Sequence, residues 1–310
     1  MKFQPLSAFL SAVFWLAGCD QAEFPQIVHE NKEARSTHAL KSSDPSGRIA
    51  IVSHSTLNVK YIDVAIDNHH RYAKRFGYDY IFRNNLLTER FFDRESRSHL
   101  FQLGLYWQKI QAVKDALNEG YEWVLWVDPD ILFTNFETRI EDIIAKYSLS
   151  NEEFLIAHEN FCYANTGVFL IHQSQWSRDM LEHISLLHPL YKDTLLPEQL
   201  AIQDYILGFA YMRGDGRWQI TPEEERYYSR KPIPKAAILP QRAMNSFYKG
   251  NFWLPGSTSE SAVWHPGDFL AHFAVRGSEK DAEMRALSNC FRTRCGDDYE
   301  NNNECLKVCE

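Results

Sequence analysis

The chain has 310 residues, of which 45% are hydrophobic and 14% aromatic, so it can bury the core of one large α/β domain or of two smaller ones. It carries 41 acidic and 33 basic side chains, for a formal net charge of -8, and no cluster of lysine or arginine stands out. This balance argues against the class of proteins that bind nucleic acid through a basic surface.

Residues 1–19 predict a signal peptide or a short signal anchor. An uncharged apolar stretch follows Met1 and Lys2 and ends at Cys19, and it is short for a full bilayer span. The segment Leu16–Cys19 also resembles a bacterial lipoprotein cleavage box, so an exported protein with a lipid on Cys19 is the alternative. Residues 20–46 are polar without a sustained period, as expected for a stem or linker.

Between residues 47 and 289 the pattern predicts strands that alternate with helices. A strand at Arg48–Ser53 leads into a helix that Gly77 ends, and a strand at Tyr78–Phe82 leads into a helix that Gly120 ends. This order implies a Rossmann-like, mainly parallel central sheet flanked by helices, with right-handed crossovers. Ligands of such sheets bind at the carboxyl ends of the strands.

The next strand, Trp123–Val127, is apolar throughout, which is typical of a strand buried on both faces. It runs into Asp128, Pro129 and Asp130, and the proline cannot continue a ladder inside a sheet. In extended geometry residues i and i+2 point the same way, so we expect both carboxylates at the mouth of the strand. Two hard oxygen donors suit Mg²⁺ or Mn²⁺, and such a cation can hold a diphosphate.

Further strands are predicted at Glu153–Ala157 and Gly167–His172. Ser174 is the expected cap of the following helix, and Pro197 opens another in its first turn. From Arg217 to Val275 the pattern is strand and loop, rich in proline, glycine and aromatic residues. We find no internal repeat and no second apolar unit large enough for a separate domain.

Residues 290–310 predict a cysteine-rich tail held by disulfides. Its polar sequence cannot fold by burial alone, and it contains Cys290, Cys295, Cys305 and Cys309. Four cysteines allow three pairings, which the sequence does not separate. A zinc site with four thiolates is the alternative, although the spacings differ from paired Cys-x-x-Cys knuckles.

Six short segments follow one another in an order that resembles glycosyltransferase family 34, whose members are retaining α-galactosyl, α-mannosyl and xyloglucan α-xylosyl transferases. The resemblance covers residues 48–277 and implies a GT-A type nucleotide-diphospho-sugar transferase fold for residues 47–289. The matching segments are Tyr72–Asp79, Trp107–Lys109, Trp123–Asn135, Asn165–Ile171, Glu198–Gln199 and Gly267–Ala274.

The resemblance implies a divalent cation, Mn²⁺ or Mg²⁺, held by Asp128, Asp130 and His272. The cation would neutralise the leaving nucleotide diphosphate as a Lewis acid. From its position alone His272 would be a buried structural histidine, and the matched motif assigns it to the metal. The donor would also contact Asp128 and Lys109.

The resemblance places Gln199 and Glu198 beside the donor sugar, Gln199 giving positional and electrostatic support to same-face transfer. The alternative for Glu198 is stabilisation of a helix N-terminus. Asn165 is expected to hydrogen-bond sugar hydroxyls, and Gly167 to allow close backbone approach; a simple turn is the alternative.

Arg276 is a candidate for binding the donor phosphates, because a guanidinium can donate two hydrogen bonds to one phosphate. Its spacing from His272 differs from that of the basic residue in the plant members, and an arginine exposed at the surface is the alternative. Trp253 lies in an aromatic loop and is the candidate for stacking on the acceptor glycan, or for simple packing.

These features predict a metal-dependent retaining glycosyltransferase that moves a hexose or pentose from a UDP- or GDP-sugar to a glycan hydroxyl with an α-linkage. Sugar nucleotides enter the Golgi lumen, so a luminal enzyme tethered to the Golgi membrane through its N-terminus is expected, with the lipoprotein as alternative. Two other classes stay open. One is an Asp-x-Asp phosphatase of haloacid-dehalogenase type, which would have its motif near the domain start; the other is an exported, catalytically silent glycan-binding protein.

Overall fold

The computed structural model describes residues 47–55, 59–91, 104–159, 163–192, 194, 196–207, 210–212, 218–220, 233–249, 261–275 and 277–309. The predicted leader and stem, residues 1–46, lie outside the described residues. Within the part described, no helix combines the length and the apolar character that crossing a membrane requires.

A six-stranded sheet in the order β2-β1-β3-β6-β5-β9 forms the centre of the fold. The three strands on one side, β2, β1 and β3, are parallel, as the alternation of strands and helices predicts. Strand β6 runs antiparallel to both β3 and β5, and β5 pairs in parallel with β9. The strands are β1 (Ile49–His54), β2 (Asp79–Arg83), β3 (Trp123–Val127), β5 (Phe154–Glu159), β6 (Tyr163–His172) and β9 (Ala236–Leu239).

Helices cover both faces of this sheet. Successive residues of β3 enter opposite cores, with Leu125 packing in one and Trp126 in the other. All five residues of β3 are buried, which confirms the prediction from its unbroken apolar sequence. In chain order, the described helices up to residue 206 are α1 (Ile62–Phe76), α2 (Gln108–Asn118), α3 (Ile140–Tyr147), α4 (Gln175–Tyr191) and α5 (Pro197–Ile206).

The predicted helix ends agree with the structure. Gly77 follows α1 with φ of 76°, and its N–H donates to the carbonyl of Ala73. Ser174 caps α4 by accepting a hydrogen bond of 3.0 Å from Ser177 N, and Pro197 opens α5. These positions were predictable because capping depends on local sequence.

A strand that the sequence did not predict, β4 (Ile131–Phe133), follows Asp130 directly. It joins a three-stranded sheet in the order β10-β11-β4, formed with β10 (Ser246–Phe247) and β11 (Leu270–His272). At three residues β4 is too short for a periodic signal. The pairing of His272 with Ile131 brings the two predicted metal-ligand segments side by side. A short helix, α6 (Gln241–Met244), precedes β10, and β7 (Ala210–Met212) and β8 (Trp218–Ile220) form a separate hairpin.

Strand β6 begins earlier than predicted. The expected start was Gly167, after a turn at Asn165, but the strand includes both residues. Its register with β5 shifts between Ile156, which pairs with Phe169, and Ala157, which pairs with Asn165. Asn165 and Gly167 therefore belong to the strand, beside a register irregularity that a turn signal in the sequence does not reveal.

The C-terminal segment packs on the face that α1 covers. It contains α7 (Gly277–Cys295), a 3-10 helix (Tyr299–Asn301) and α8 (Asn303–Leu306). Phe291 and Tyr299 are fully buried in the core that contains Tyr72 of α1. The predicted pair of disulfides is confirmed, with Cys290 bonded to Cys309 and Cys295 bonded to Cys305.

Removing the longer disulfide loop in Cys290→Ser/Cys309→Ser should lower the free energy of unfolding by about 3 kcal/mol, because the unfolded chain regains the entropy that the cross-link removes. Urea unfolding followed by circular dichroism measures the difference. Under a reductant that opens both disulfides, variant and wild type should unfold at the same urea concentration. A difference that persists there would assign the effect to packing of the cysteine side chains instead.

Candidate functional site

The candidate site lies at the carboxyl end of β3, where the segment after β3 meets β6. Val127 pairs with Val168, and Asp128 N donates to the carbonyl of Gly167 at 2.8 Å. Residues far apart in sequence therefore come together at the sheet edge at which doubly wound folds bind ligands. The antiparallel pairing of β3 with β6 produces this meeting.

Asp128 points toward a buried lysine. Its Oδ1 lies 3.3 Å from Lys109 Nζ and accepts a 2.7 Å hydrogen bond from Trp126 Nε1. The same ammonium lies 2.9 Å from Glu198 Oε1 and donates to the carbonyl of Thr166 at 3.2 Å. Only 5% of the Lys109 side chain is exposed, so one buried cation joins both carboxylates.

Charge and burial act in opposite directions on these groups. Burial lowers the pKa of Lys109, but the negative charges of Asp128 and Glu198 outweigh it and raise the pKa above the ordinary value. Burial raises the pKa of Asp128 against the attraction of Lys109, and the charge of Asp130 raises it further. The lysine is thus fixed in its charged form.

Asp130 is held from two sides. Its Oδ1 lies 3.6 Å from His272 Nε2, and its Oδ2 accepts a hydrogen bond of 2.5 Å from Lys280 Nζ on α7. Its carbonyl accepts from Phe273 N at 2.9 Å. Burial raises the pKa of Asp130, but the cation of Lys280 and the neighbouring His272 outweigh burial and hold that pKa well below its usual range.

The predicted metal ligands Asp130 and His272 are brought together, and Asp128 belongs to the same edge. The imidazole presents Nε2 to Asp130, while its Nδ1 is hydrogen-bonded to Asn245 Oδ1 at 2.8 Å. This arrangement fits a cation ligand, since a ligating histidine usually engages its other nitrogen with an oxygen. Among the described residues, however, no group of three or more His, Cys, Asp or Glu side chains has an arrangement that could by itself hold a metal ion.

The remaining predicted donor-site residues form a buried network. Thr166 N donates to Gln199 Oε1 at 3.1 Å, and Gln199 Nε2 donates to Glu159 Oε2 at 3.3 Å. Asn165 Nδ2 donates to the same Glu159 oxygen at 2.9 Å. Glu198 keeps its Oε2 buried with no hydrogen-bond partner in the part of the chain described, which leaves this atom as a potential acceptor.

Gly167 is needed for space rather than for a special backbone angle. A Cβ added there would lie 2.8 Å from Asn165 Oδ1 and 2.9 Å from His272 Cε1. Both contacts are shorter than carbon atoms tolerate, so the network closes only around a residue without a side chain. Gly167 was predicted to allow a close approach to its backbone, and the side chains that approach it are those of Asn165 and His272.

We expect Gly167→Ala to lower donor turnover about 10- to 100-fold, the range seen when the surroundings of a metal ligand are disturbed. The methyl group must displace Asn165 or His272 from its present place. Steady-state rates are measured beside Gly120→Ala, where φ is 88° and a Cβ would meet no atom within 4 Å, so this control adds backbone strain away from the site without a clash. An unchanged rate in Gly167→Ala would show that His272 and Asn165 tolerate displacement.

Several residues at the site were missed by sequence reasoning. Lys280 lies 150 residues beyond Asp130, and no local pattern connects them. Asn68 and His69 of α1 bind the backbone of β4, with Asn68 Oδ1 accepting from Phe133 N and His69 Nε2 donating to the carbonyl of Ile131. The only usable signal was the presence of these polar residues on the apolar face of α1, which indicates buried hydrogen bonds.

Two predicted site residues, Arg276 and Trp253, lie outside the described residues. The described cation beside Asp130 is Lys280. Among the described aromatic residues, Tyr106 is 48% exposed and lies within electrostatic range of Glu198 and Asp128.

Comparisons with known proteins agree with the geometry. Residues 48–152 match the sequence model of the galactosyl transferase GMA12/MNN10 family. The chain is similar to glycosyltransferase 6 of Arabidopsis thaliana, at 28% identity over 41% of this chain and 31% of the relative. It is also similar to xyloglucan 6-xylosyltransferase 4 of the same plant, at 24% identity over 87% of this chain and 50% of the relative.

A third relative, galactomannan galactosyltransferase 1 of Cyamopsis tetragonoloba, is 28% identical over 36% of this chain and 24% of its own length. The chain thus spans half or less of the length of these curated relatives.

A solved structure shows the same fold. It is a glycosyltransferase involved in the glycosylation of the major capsid of PBCV-1, with a TM-score of 0.52 and 17% identity, covering 77% of this chain and 98% of that one. The similarity confirms the predicted GT-A architecture. The relatives are named as glycosyltransferases, which is the enzyme class that the sequence predicts. The predicted resemblance to glycosyltransferase family 34 is confirmed, because residues 48–152 match the sequence model of the galactosyl transferase GMA12/MNN10 family and the similar plant proteins include a xylosyltransferase and a galactosyltransferase.

Proposed function

We propose that the protein transfers a sugar from a nucleotide-diphosphate sugar to a hydroxyl of a glycan acceptor, with retention and an α-linkage. The observation that carries the proposal is the convergence of Asp130, His272 and Lys280 at the carboxyl end of β3. Acidic oxygens, an imidazole and an ammonium together suit a diphosphate that arrives with a divalent cation. The match of residues 48–152 to a glycosyltransferase family model supports the same reaction class.

Asp128, Asp130 and His272 are the residues that would hold Mn²⁺ or Mg²⁺. Carboxylate oxygens and one imidazole are ligands that Mn²⁺ accepts, and the diphosphate would complete the coordination. The bound cation would supply Lewis-acid neutralisation of the leaving diphosphate. The ammonium of Lys280, already 2.5 Å from Asp130, would add a fixed positive charge on the same side.

The buried network positions the donor sugar. The ammonium of Lys109 lies between Asp128 and Glu198, and Thr166 N holds the oxygen of Gln199. Glu198 Oε2, which has no hydrogen-bond partner among the described residues, can accept from a sugar hydroxyl. Polar groups held in place before the donor binds lose little freedom when it arrives.

The first donors to test are UDP-xylose and UDP-galactose, because two relatives are named for xylosyl and galactosyl transfer. The purified protein is incubated with a panel of UDP- and GDP-sugars with Mn²⁺, and the released nucleoside diphosphate is measured with and without a chelator. We expect turnover of one donor that disappears with chelation and returns with added Mn²⁺. No turnover of any donor, with or without glycan acceptors, would leave the alternative of a silent glycan-binding protein.

The same preparations distinguish the phosphatase alternative. A phosphatase of haloacid-dehalogenase type would release phosphate from a generic phosphate ester and would need no sugar nucleotide. We expect no phosphate release under conditions in which the nucleotide sugar is consumed. Release at comparable rates would replace the transferase proposal with the phosphatase.

For location, we propose a Golgi protein with a luminal catalytic domain, tethered to the membrane through residues 1–19. Two disulfides support export, because such bonds persist in oxidising compartments. The alternative is a bacterial lipoprotein anchored at Cys19. Metabolic labelling with a lipid probe separates them, since acylation that disappears in Cys19→Ser is incompatible with the Golgi proposal.

A further inference from the structure

A line of buried polar side chains connects the end of β5 with His272. Glu159 Oε2 accepts from Asn165 Nδ2 at 2.9 Å, and Asn165 Oδ1 accepts from Asn245 Nδ2 at 2.6 Å. Asn245 Oδ1 in turn lies 2.8 Å from His272 Nδ1. All four residues are at most 8% exposed, so water does not compete for these bonds.

Two contacts of the Asn165 side chain determine which end of its amide is the oxygen. The backbone N–H of Gly167 can only donate, and it donates to Asn165 Oδ1 at 2.8 Å. On the other side of the same amide, Glu159 Oε2 serves as an acceptor, because it accepts from Asn165 Nδ2 and also from Gln199 Nε2 at 3.3 Å. These two contacts agree on one orientation of the Asn165 amide.

This orientation determines the next amide and then the imidazole. Because Asn165 presents its oxygen, Asn245 must present its NH₂ group, since two amide oxygens 2.6 Å apart would repel. Asn245 therefore turns its own oxygen toward His272. An oxygen that only accepts requires a hydrogen on Nδ1, so the neutral form of His272 protonated at Nε2 alone is excluded.

We propose that Glu159, Asn165 and Asn245 form a relay that sets the tautomer of His272, leaving the lone pair of Nε2 directed toward Asp130. Nε2 lies 3.6 Å from Asp130 Oδ1, which is the side on which a cation held by both residues would bind. Glu159 and Asn245 are positioning residues, since they act through His272. The inference rests on the proposed function only where it names a cation as the partner of Nε2.

The test observes the tautomer directly, in the metal-free, full-length protein labelled with ¹⁵N-histidine. Long-range ¹H–¹⁵N spectra at about pH 8, above the ordinary histidine pKa, distinguish protonated from unprotonated ring nitrogens. The His272 signals are assigned by their loss in His272→Gln. We expect wild-type His272 to carry its hydrogen on Nδ1, and a spectrum with the hydrogen on Nε2 overturns the proposal without any further variant.

Asn245→Leu removes the relay with little change in volume. We expect the form protonated at Nε2 to become populated, and Mn²⁺ affinity, measured by calorimetry or electron paramagnetic resonance, to fall about 10- to 100-fold. Gln241→Leu is the matched control, since it removes an amide whose Nε2 has no hydrogen-bond partner among the described residues. The control should keep both the tautomer and the affinity of wild type.

The outcomes separate the two proposals. If Asn245→Leu folds and keeps the hydrogen of His272 on Nδ1, the relay does not set the tautomer. If the tautomer behaves as expected but wild type binds no Mn²⁺, the relay stands and the metal in the proposed function fails. If Asn245→Leu does not fold, the wild-type spectrum still decides.

Discussion

Asp130→Asn should reduce metal-dependent donor turnover by about two to three powers of ten. The carboxylate is the common partner of His272 and Lys280, and an asparagine would leave these two groups without the negative charge between them. A cation that neutralises a leaving phosphate contributes several kcal/mol to the transition state. Each 1.36 kcal/mol corresponds to a factor of ten in rate, which gives the expected magnitude.

The measurement is initial-rate release of nucleoside diphosphate at saturating donor and Mn²⁺, with folding checked by circular dichroism. Asp63→Asn is the matched control, because Asp63 is an exposed aspartate that pairs with Arg285 at the surface. The control should stay within about twofold of wild type, consistent with the small energies of surface ion pairs. Equal activity of wild type and Asp130→Asn would end the proposal that this edge of the sheet is the donor site.

Lys109→Met should lower the free energy of unfolding by about 3 to 5 kcal/mol, the usual cost of removing one partner from a buried ion pair. Methionine fills much the same volume, so the loss is electrostatic. Without the ammonium, the buried Glu198 and the partly buried Asp128 stay near each other with no cation between them. The charged form of Asp128 then becomes more costly, because the attraction of Lys109 no longer opposes the rise of its pKa by burial.

Urea unfolding followed by tryptophan fluorescence measures this loss, and Lys114→Met provides the control on the same helix. Lys114 is a more exposed lysine of α2 that pairs with Glu182, so its removal should cost less than about 1 kcal/mol. If Lys109→Met proved as stable as Lys114→Met, the buried ammonium would be dispensable for the fold. Its role would then be limited to binding the donor.

The centre of the fold was predictable because its signals are local. The apolar run of β3 and the proline after Asp128 indicate a buried strand that ends before Asp128, and the structure agrees. Gly77 and Ser174 predict helix ends for equally local reasons.

The pairing of strands across the sheet was harder to predict from the sequence, because it depends on contacts between distant segments. The placement of Asn165 inside β6 depends on a register shift against Ala157, which the sequence of β6 does not show. Helix α7 was missed since its segment is polar, and its stability depends on burial of Met284 and Phe291 against the face that α1 occupies.

The candidate site was predictable as a set of residues but not as a set of contacts. The resemblance to family 34 brought out Asp128, Gln199 and His272, all of which lie in one connected network. The same reasoning assigned the positive charge to Arg276, while the described cation on Asp130 is Lys280. Glu159 has no counterpart among the quoted motifs, so only coordinates could show that it orients Asn165.

The ion pair between Lys280 and Asp130 joins segments 150 residues apart. During synthesis the segment between β3 and β4, which carries Asp130, leaves the ribosome long before α7, so the early chain has this acidic segment without the ammonium of Lys280. Contacts of such separation form late, because the intervening chain must first be ordered. Helix α7 is then held by two cross-links to the segment after it. The ion pair at the site can therefore form only after the C-terminal part of the chain has been synthesised, and the two disulfides then hold α7 in place. We therefore expect the redox conditions during expression to affect the fraction of molecules in which this ion pair is formed.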